Sequence, residues 1–316
     1  MNKIVSFVSA LMLSSCAVGP DYERPEIISP ETWRVEYKAA ADVSNTKWWQ
    51  QFQDPVLNQL IETALKENKD VRIAAARMQE FAARIDIANS GFLPQFGYGA
   101  DASRNKLSRD AFGSSPTGNR TYNNYSASAN LTWELDLWGR IRRGDEAATA
   151  EFLTQEESRR SVILSLVSTV ATSYITLRQT DRQLQIAKDT LYSRTESLRL
   201  FELKFDGGVV SELELAQVRT EYEQAAAAIP PIQRQIALTE NELSILLGHN
   251  PGGIPRGKSI NDLTLPEVPE GIPSTILEQR PDVRAAEQKL ISANARIGVA
   301  KAEYFPTISL TGLFGF

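Results

Sequence analysis

The 316-residue chain contains one cysteine and one histidine. A lone thiol cannot form a disulfide within the chain, and a zinc site of His and Cys ligands needs roughly three or four such residues. A Ser-His-Asp or Cys-His machine would have to run through His249 alone, in a Gly- and Pro-rich loop that reads as exposed linker. No catalytic or metal-ligating residue is therefore assigned, no cofactor is expected, and the chain is read as a non-enzyme. Basic charge is also in deficit. Lys and Arg number 34 against 39 Asp and Glu, a formal net charge of −5, which argues against nucleic acid as a partner. Beyond Pro20 no stretch approaches about eighteen consecutive apolar residues, so no transmembrane helix is expected. With 42% hydrophobic and 23% charged residues, the chain is neither disordered nor an inner-membrane bundle.

What is present begins at the N-terminus. Lys3 supplies a positive start, and Ile4 to Leu13 form an apolar run too short to span a bilayer. Leu13-Ser14-Ser15-Cys16 follows, with small residues at 14 and 15 ahead of the chain's only thiol. This resembles the bacterial lipobox, whose chemistry attaches a diacylglyceryl group through sulfur before the peptide is cut. A signal peptide that merely contains Cys16 is the alternative. Residues 1–15 are read as signal peptide and Cys16 as the lipidation site, with Ala17 rather than Asp directing the product to the outer membrane. Acyl chains contribute about 0.8 kcal/mol per buried methylene, so several anchor stably. Residues 16–53, rich in Pro, Asp and Glu at first, are expected to be an extended tether.

The body of the chain changes period several times. Asp54-Pro55 reads as an N-cap followed by Pro at the first helical position, opening a helix over 55–67. From 69 to 92 the apolar period is close to seven, with Val71, Met78, Ile85 and Phe92 in one column. At Pro94 it switches to two, predicting a strand over 94–103. After a polar loop, alternation returns over 123–138: Ala127, Ala129, Leu131, Trp133, Leu135 and Leu137 on one side, Ser126, Ser128, Asn130 and Thr132 on the other. With Tyr122 and Tyr125 near one end and Trp133 and Trp138 toward the other, this fits a tilted transmembrane strand whose lipid-facing residues are the six apolar ones. An antiparallel sheet with one wet face would alternate in the same way.

A helix over 140–205 follows, its column Ile163, Val170, Leu177, Leu184, Leu191, Leu198 and Phe205 spaced by seven. Gly207-Gly208 interrupts it where reversal is cheap. A return helix over 211–247 carries Leu215, Tyr222, Ile229, Ile236 and Leu243, must break near Ile229 at Pro230-Pro231, and ends at Leu247-Gly248. Heptads alone leave scaffold, adaptor arm and tunnel wall open. Residues 249–272 read as linker.

The chain also repeats itself at an offset of 212. Asp70-Val71-Arg72 returns as Asp282-Val283-Arg284, Ala83-Arg84-Ile85 as Ala295-Arg296-Ile297, and Pro94 as Pro306. Alternation then resumes in Ile308, Leu310 and Gly312, so 273–316 is read as the helix and partial strand that open a second repeat, the first occupying 54–248.

In this order the pieces resemble the outer membrane factor family, the TolC-like efflux channels, in the lipoprotein branch. Val18-Gly19-Pro20-Asp21-Tyr22 with Arg24-Pro25 is similar to that branch's segment after the lipobox. Trp48-Trp49, Phe52, Asp54-Pro55 and Leu57 are similar to its WW-x-x-F-x-D-P-x-L motif. Trp133-Glu134-Leu135-Asp136-Leu137-Trp138-Gly139 resembles its strand-to-helix junction, and Leu277, Arg280-Pro281-Asp282-Val283 and Ala286-Glu287 the start of its second repeat. The resemblance implies a mostly α fold with transmembrane β: a long antiparallel coiled-coil hairpin in a periplasmic α-barrel, joined to β-barrel strands. It implies a homotrimer in outer membrane lipid of a Gram-negative bacterium, reaching into the periplasm as a passive efflux conduit. It also implies two partners, a periplasmic adaptor (membrane fusion protein) and an inner-membrane pump, with the adaptor docking at Gly207, Gly208, Val209, Val210 and Ser211. The sequence reaches only into the third of the four strands the family gives each chain, so this polypeptide is expected to be cut short and not to form a working channel by itself. The competing reading is a lipid-anchored periplasmic coiled-coil adaptor or spacer without membrane β-structure.

Overall fold

A computed structural model describes residues 17–25, 47–107, 121–265 and 274–316. They divide between two compact units. One holds 17–25, 77–156 and 283–316, the other 47–76 and 157–282, within the described residues.

The second unit is built on helix α1 (Pro55–Glu67), the start of α2 (Lys69–Ser90), most of α3 (Arg140–Asp206), α4 (Glu212–Ala227) and α5 (Ile229–Leu246). Leu57, Leu60, Ile61 and Ala64 share one face of α1 and pack with Leu166, Val167, Val170, Ala171, Tyr174 and Leu177 of α3 and Leu243 of α5. By length and composition α3 could cross a membrane, one window reaching a mean hydropathy of 1.3. The apolar residues just named instead supply this protein core. Toward the far end of the hairpin the columns Leu184, Leu191, Leu198 and Leu215, Val218, Tyr222 are only half-buried, and Arg194–Glu221 and Arg219–Glu202 ion pairs at 2.6 and 3.3 Å link the two helices.

One buried carboxylate organises the core. Asp54 is fully buried and caps α1 by accepting from Val56 N at 2.8 Å and Leu57 N at 3.4 Å. It accepts further bonds from the Tyr174 hydroxyl at 2.8 Å and Lys258 N at 3.0 Å. Gly257 N donates to the same Tyr174 oxygen at 2.9 Å. A Cβ on Gly257 would collide with the Asp54 carboxylate, so glycine is required for this approach. Ile254 is thus part of the core and 256–258 are partly buried against it, and the linker expected over 249–272 is packed in this stretch.

The tether expected over 16–53 is likewise held where it is described. Trp48–Phe52 form a 3-10 turn with Phe52 in the core and Trp48 and Trp49 packed against it, because three large aromatics gain more from burial than extension would allow. The return helix is divided at Ala228, which keeps helical angles (φ −73, ψ −22) and still donates to Gln224 O. Pro230 and Pro231 lack the N–H groups that would continue the ladder. α5 closes in a Schellman turn, with His249 N on Ser244 O, Gly248 N on Ile245 O and Gly248 at φ +74. His249 itself is exposed.

The first unit joins the remainder of α2, the start of α3 and α6 (Pro281–Ala302) to an antiparallel sheet in the order β1 (Gln95–Lys106), β2 (Thr121–Glu134), β3 (Ser309–Gly315). α2 stops at Ser90, two residues short of the expected 92, because Gly91, Phe92 and Leu93 tighten into 3-10 bonds ahead of Pro94. α2 and α6 are both 22 residues long, and each starts and ends 212 residues from its counterpart.

Tyr174→Phe should lower stability by about 1–3 kcal/mol, since it strands a buried amide and removes a donor from a buried carboxylate. Burial first, and the bond to Asp54 second, push the Tyr174 hydroxyl up to about 12 from 10.0. The folded state favours the neutral phenol, so this contribution is whole below pH 10 and is lost as pH rises toward 12. Denaturant melts at pH 8 and across the alkaline range should show the difference between parent and variant shrinking only above pH 10.

Candidate functional site

Three places were singled out: the thiol, the strand and the helix reversal. Cys16 lies outside the described residues. The strand is set by its register. Tyr98 faces Ala129 and Phe96 faces Leu131 across β1–β2, while Phe314 faces Ala129 and Leu310 faces Trp133 across β2–β3. Because side chains alternate between faces, these residues with Ala100, Ala102, Tyr125, Ala127 and Gly312 share one side of the sheet. Gln95, Gly97, Gly99, Asp101, Ser126, Ser128, Asn130, Thr132, Ser309 and Thr311 share the other, where Leu313 and, toward the loop, Tyr122 are exceptions. From Trp133 to Tyr125 the apolar face is roughly 27 Å long at strand rise, close to the apolar band of a transmembrane barrel. Much of it is exposed among the described residues: Tyr98 is 95% and Phe314 84% exposed.

Ala127, Ala129, Leu131 and Trp133 therefore lie together on that face. Leu135 and Leu137 do not belong to the strand, which ends at Glu134 rather than 138. Only Leu135 N continues the ladder, donating to Ile308 O at 2.9 Å. Tyr122 pairs with Asn105 and falls on the polar side, so it is not part of an aromatic girdle with Tyr125. Both strands run further than expected at the loop end, β1 to Lys106 and β2 from Thr121, because Arg104, Asn123 and their neighbours pair through the backbone whatever their side chains.

β2 stops where it does because Asp136 begins a helix. Its carboxylate accepts from Ile141 N and Arg142 N, both at 3.0 Å, filling two of the open amides of α3. Arg140 turns back to grip Glu134 through two bonds of 2.9 and 2.7 Å, which raises its guanidinium further above the usual range. Gly139 sits at φ +79, and a Cβ there would meet Ala17 Cβ at 2.7 Å. Trp138 stacks on Phe305 at 4.7 Å and donates to Pro306 O, while the Trp133 indole donates to Phe92 O at 3.0 Å. The heptapeptide from Trp133 to Gly139 is thus a strand end, a helix cap and a left-handed turn in succession.

At the reversal, Val209 N donates to Lys204 O and Gly208 N to Phe205 O, both at 2.8 Å, with Gly208 at φ +73. This is a Schellman turn. Ser211 then caps α4 in a reciprocal box: Glu214 N donates to Ser211 Oγ at 3.3 Å and Ser211 N to Glu214 Oε2 at 2.8 Å. The spacing Ser-x-x-Glu announces such a box, and Glu214 is the member of the tip that sequence reasoning missed. Two back-to-back caps fix the five residues, leaving Val209 74% and neighbouring Leu213 68% exposed.

A membrane-type sheet continuous with a 67-residue helix that reverses into a second helical arm defines the TolC-like outer membrane channel fold. The chain belongs to the outer membrane efflux protein family, whose family model matches residues 60–249. It is 35% identical over 98% of its length to the toluene efflux pump outer membrane protein TtgC of Pseudomonas putida, and 35% identical over 98% to the cation efflux system protein CusC of Escherichia coli. The crystal structure of the Campylobacter jejuni CmeC outer membrane channel superposes with a TM-score of 0.85 at 29% identity, covering 95% of this chain and 66% of that one. This chain spans 65% of the length of TtgC and 67% of CusC. Family membership places it in the Gram-negative outer membrane.

Gly208→Ala should cost about 1–2 kcal/mol at the reversal, from the left-handed angle alone because nothing lies near the added methyl. Ser211→Ala should cost about 1 kcal/mol by removing the cap. Amide exchange across 203–214 reads both. The Ser211 amide and hydroxyl hold the Glu214 carboxyl below its usual 4.5, so the box is intact above that value and opens as pH falls through the depressed one.

Proposed function

We propose that this chain is a subunit of the outer membrane exit duct of a tripartite efflux or export system. The observation that carries the reading is the sheet whose two faces separate by polarity in register across three strands. Within water, an uncovered face of this size would be a liability. Within lipid it is the required outer surface, and the polar face lines an aqueous lumen. Neither outer edge, of β1 or of β3, has a partner among the described residues. Lipid does not tolerate open edges, so further strands must close the sheet. In our reading the closure is a barrel shared by three copies to which each contributes four strands, as the family resemblance implies. A lipid-anchored coiled-coil spacer has no use for such a face.

The duct is passive and catalyses no reaction; energy comes from an inner-membrane pump bridged by a periplasmic adaptor. Val209 at the rigid reversal is the contact we assign to the adaptor, with Gly207, Gly208, Val210 and Ser211 holding it in shape. Lipidation at Cys16 anchors the mature chain. The cargo is a small molecule; toluene and cations are the ones named for TtgC and CusC.

Ala129→Lys places a charge on the lipid face near mid-band and should cost about 2–4 kcal/mol in the membrane, whereas Ser128→Lys on the lumen face should be tolerated. Outer membrane fractions assayed for a heat-modifiable oligomer should show loss in the first variant and retention in the second; equal behaviour would remove the membrane reading. Val209→Asp should reduce co-purification of the adaptor about tenfold while leaving that oligomer intact, as loss of a central apolar contact does.

A further inference from the structure

Residues 17–25 have no part in the function just proposed, yet they are firmly seated. Val18 N donates to Trp138 O at 3.0 Å. Asn294 of α6 donates its side-chain amide to Pro20 O at 2.9 Å. Arg143 of α3, buried apart from 7% of its surface, donates to Asp21 at 2.6 Å and to Glu146 at 2.8 Å. Arg24 pairs with Glu287 of α6 at 3.0 Å. As the segment advances, its partners step back along α6, so it runs antiparallel to that helix.

The crossing point is a contact of backbone on backbone. Gly19, at φ +119, lies so close that a Cβ on it would stand 2.6 Å from Gly298 Cα. A Cβ on Gly298 would stand 2.8 Å from Val18 O and 2.8 Å from Arg143 Cγ. The internal repeat supplies an independent comparison. At the offset of 212, Gly298, Asn294 and Glu287 correspond to Asp86, Ala82 and Ala75 of α2. Each α6 residue that holds the segment has changed from its counterpart: a glycine where two backbones cross, an amide where a carbonyl needs a donor, a carboxylate opposite Arg24. α2 therefore carries no such seat, although it matches α6 in length.

We infer that residues 17–25 form a clasp whose seat exists only where α6 lies against the start of α3, so that the N-terminal segment closes over the junction of the two repeats and reports that they have docked. Its first residue, Ala17, packs on Gly139, where the sheet passes into α3. One consequence rests on the lipid reading of Cys16: an acyl anchor carried one peptide bond before Ala17 is tied to the rim of the sheet once the clasp has closed. The clasp itself rests on the contacts alone.

Hydrogen exchange on the purified full chain in detergent tests it. Gly298→Val should speed exchange of residues 17–25 by about tenfold or more, as expected when a close backbone approach is blocked. Asp21→Asn alters no helical residue and removes only an exposed carboxylate, and should speed it about two- to fivefold. Both should loosen residues 292–302 of α6 and leave the 166–177 core unchanged, while Asp86→Val should not alter 17–25 at all. The inference is overturned if 17–25 exchange at the unstructured rate in the parent, if neither seat variant changes them, or if Asp86→Val acts as Gly298→Val does. The mass of the N-terminal peptide separately reports acylation of Cys16; an unmodified thiol would remove the anchoring consequence while leaving the exchange result to decide the clasp.

Discussion

The start of α3 depends on one carboxylate. Asp136 meets two open amides of a helix that runs for 67 residues, and it does so two positions after a strand has ended. A backbone leaving a sheet carries its polar groups sideways, and one entering a helix carries them along the axis. The change of direction leaves amides without partners unless a side chain fills in. Asp136 fills in on the near side, Arg140 ties back to Glu134, and Gly139 accepts the left-handed angle that lets the turn be short. The chain passes from the sheet into the helical arm within one short turn because these side chains meet its open amides.

Asp54 solves the same problem differently. It too caps a helix, but it is buried, and its remaining lone pairs are met by Tyr174 and the amide of Lys258. Three segments distant in sequence meet on one anion. Removing any one of them leaves a buried charge underbonded, which is more costly than the loss of the bond itself. The cap at Asp136 is local and the cap at Asp54 is long-range, so the first shapes a turn and the second specifies a core.

What the residues disclosed by themselves follows the same division. Helices and strands announced themselves by period: the column from Ile163 to Phe205, the alternation from Tyr125 to Trp133, and the offset that makes α6 a copy of α2. Gly208 and Gly248 were legible because left-handed helix ends favour glycine. Hidden were features made by segments far apart. Nothing periodic marks Ile254, Gly257 and Lys258 as core, and a Gly-Pro-rich stretch reads as linker until Asp54 is seen to need it. The face taken by Tyr122 could not be known from aromatic content, only from pairing with Asn105. Alternation alone carries β2 past its end, because Leu135 and Leu137 keep the pattern after Asp136 has already turned to capping. At the tip, the helix expected from 211 begins at Glu212, and Glu214, three residues beyond Ser211, marks Ser211 as its cap.

The sheet also contains a quiet asymmetry. Gly97 of β1 faces Asn130 of β2, while its repeat counterpart, Ser309 of β3, faces Glu134, four residues further along. Equivalent strands on either side of β2 are thus displaced in one direction. When a unit with such a displacement is copied around a ring, the offsets accumulate and do not cancel, so the strands must lean and the ladder must wind like the thread of a screw. The inclination of a barrel built this way, and with it the width of its bore, is written into backbone pairing. Side chains can line such a passage, but they cannot straighten it.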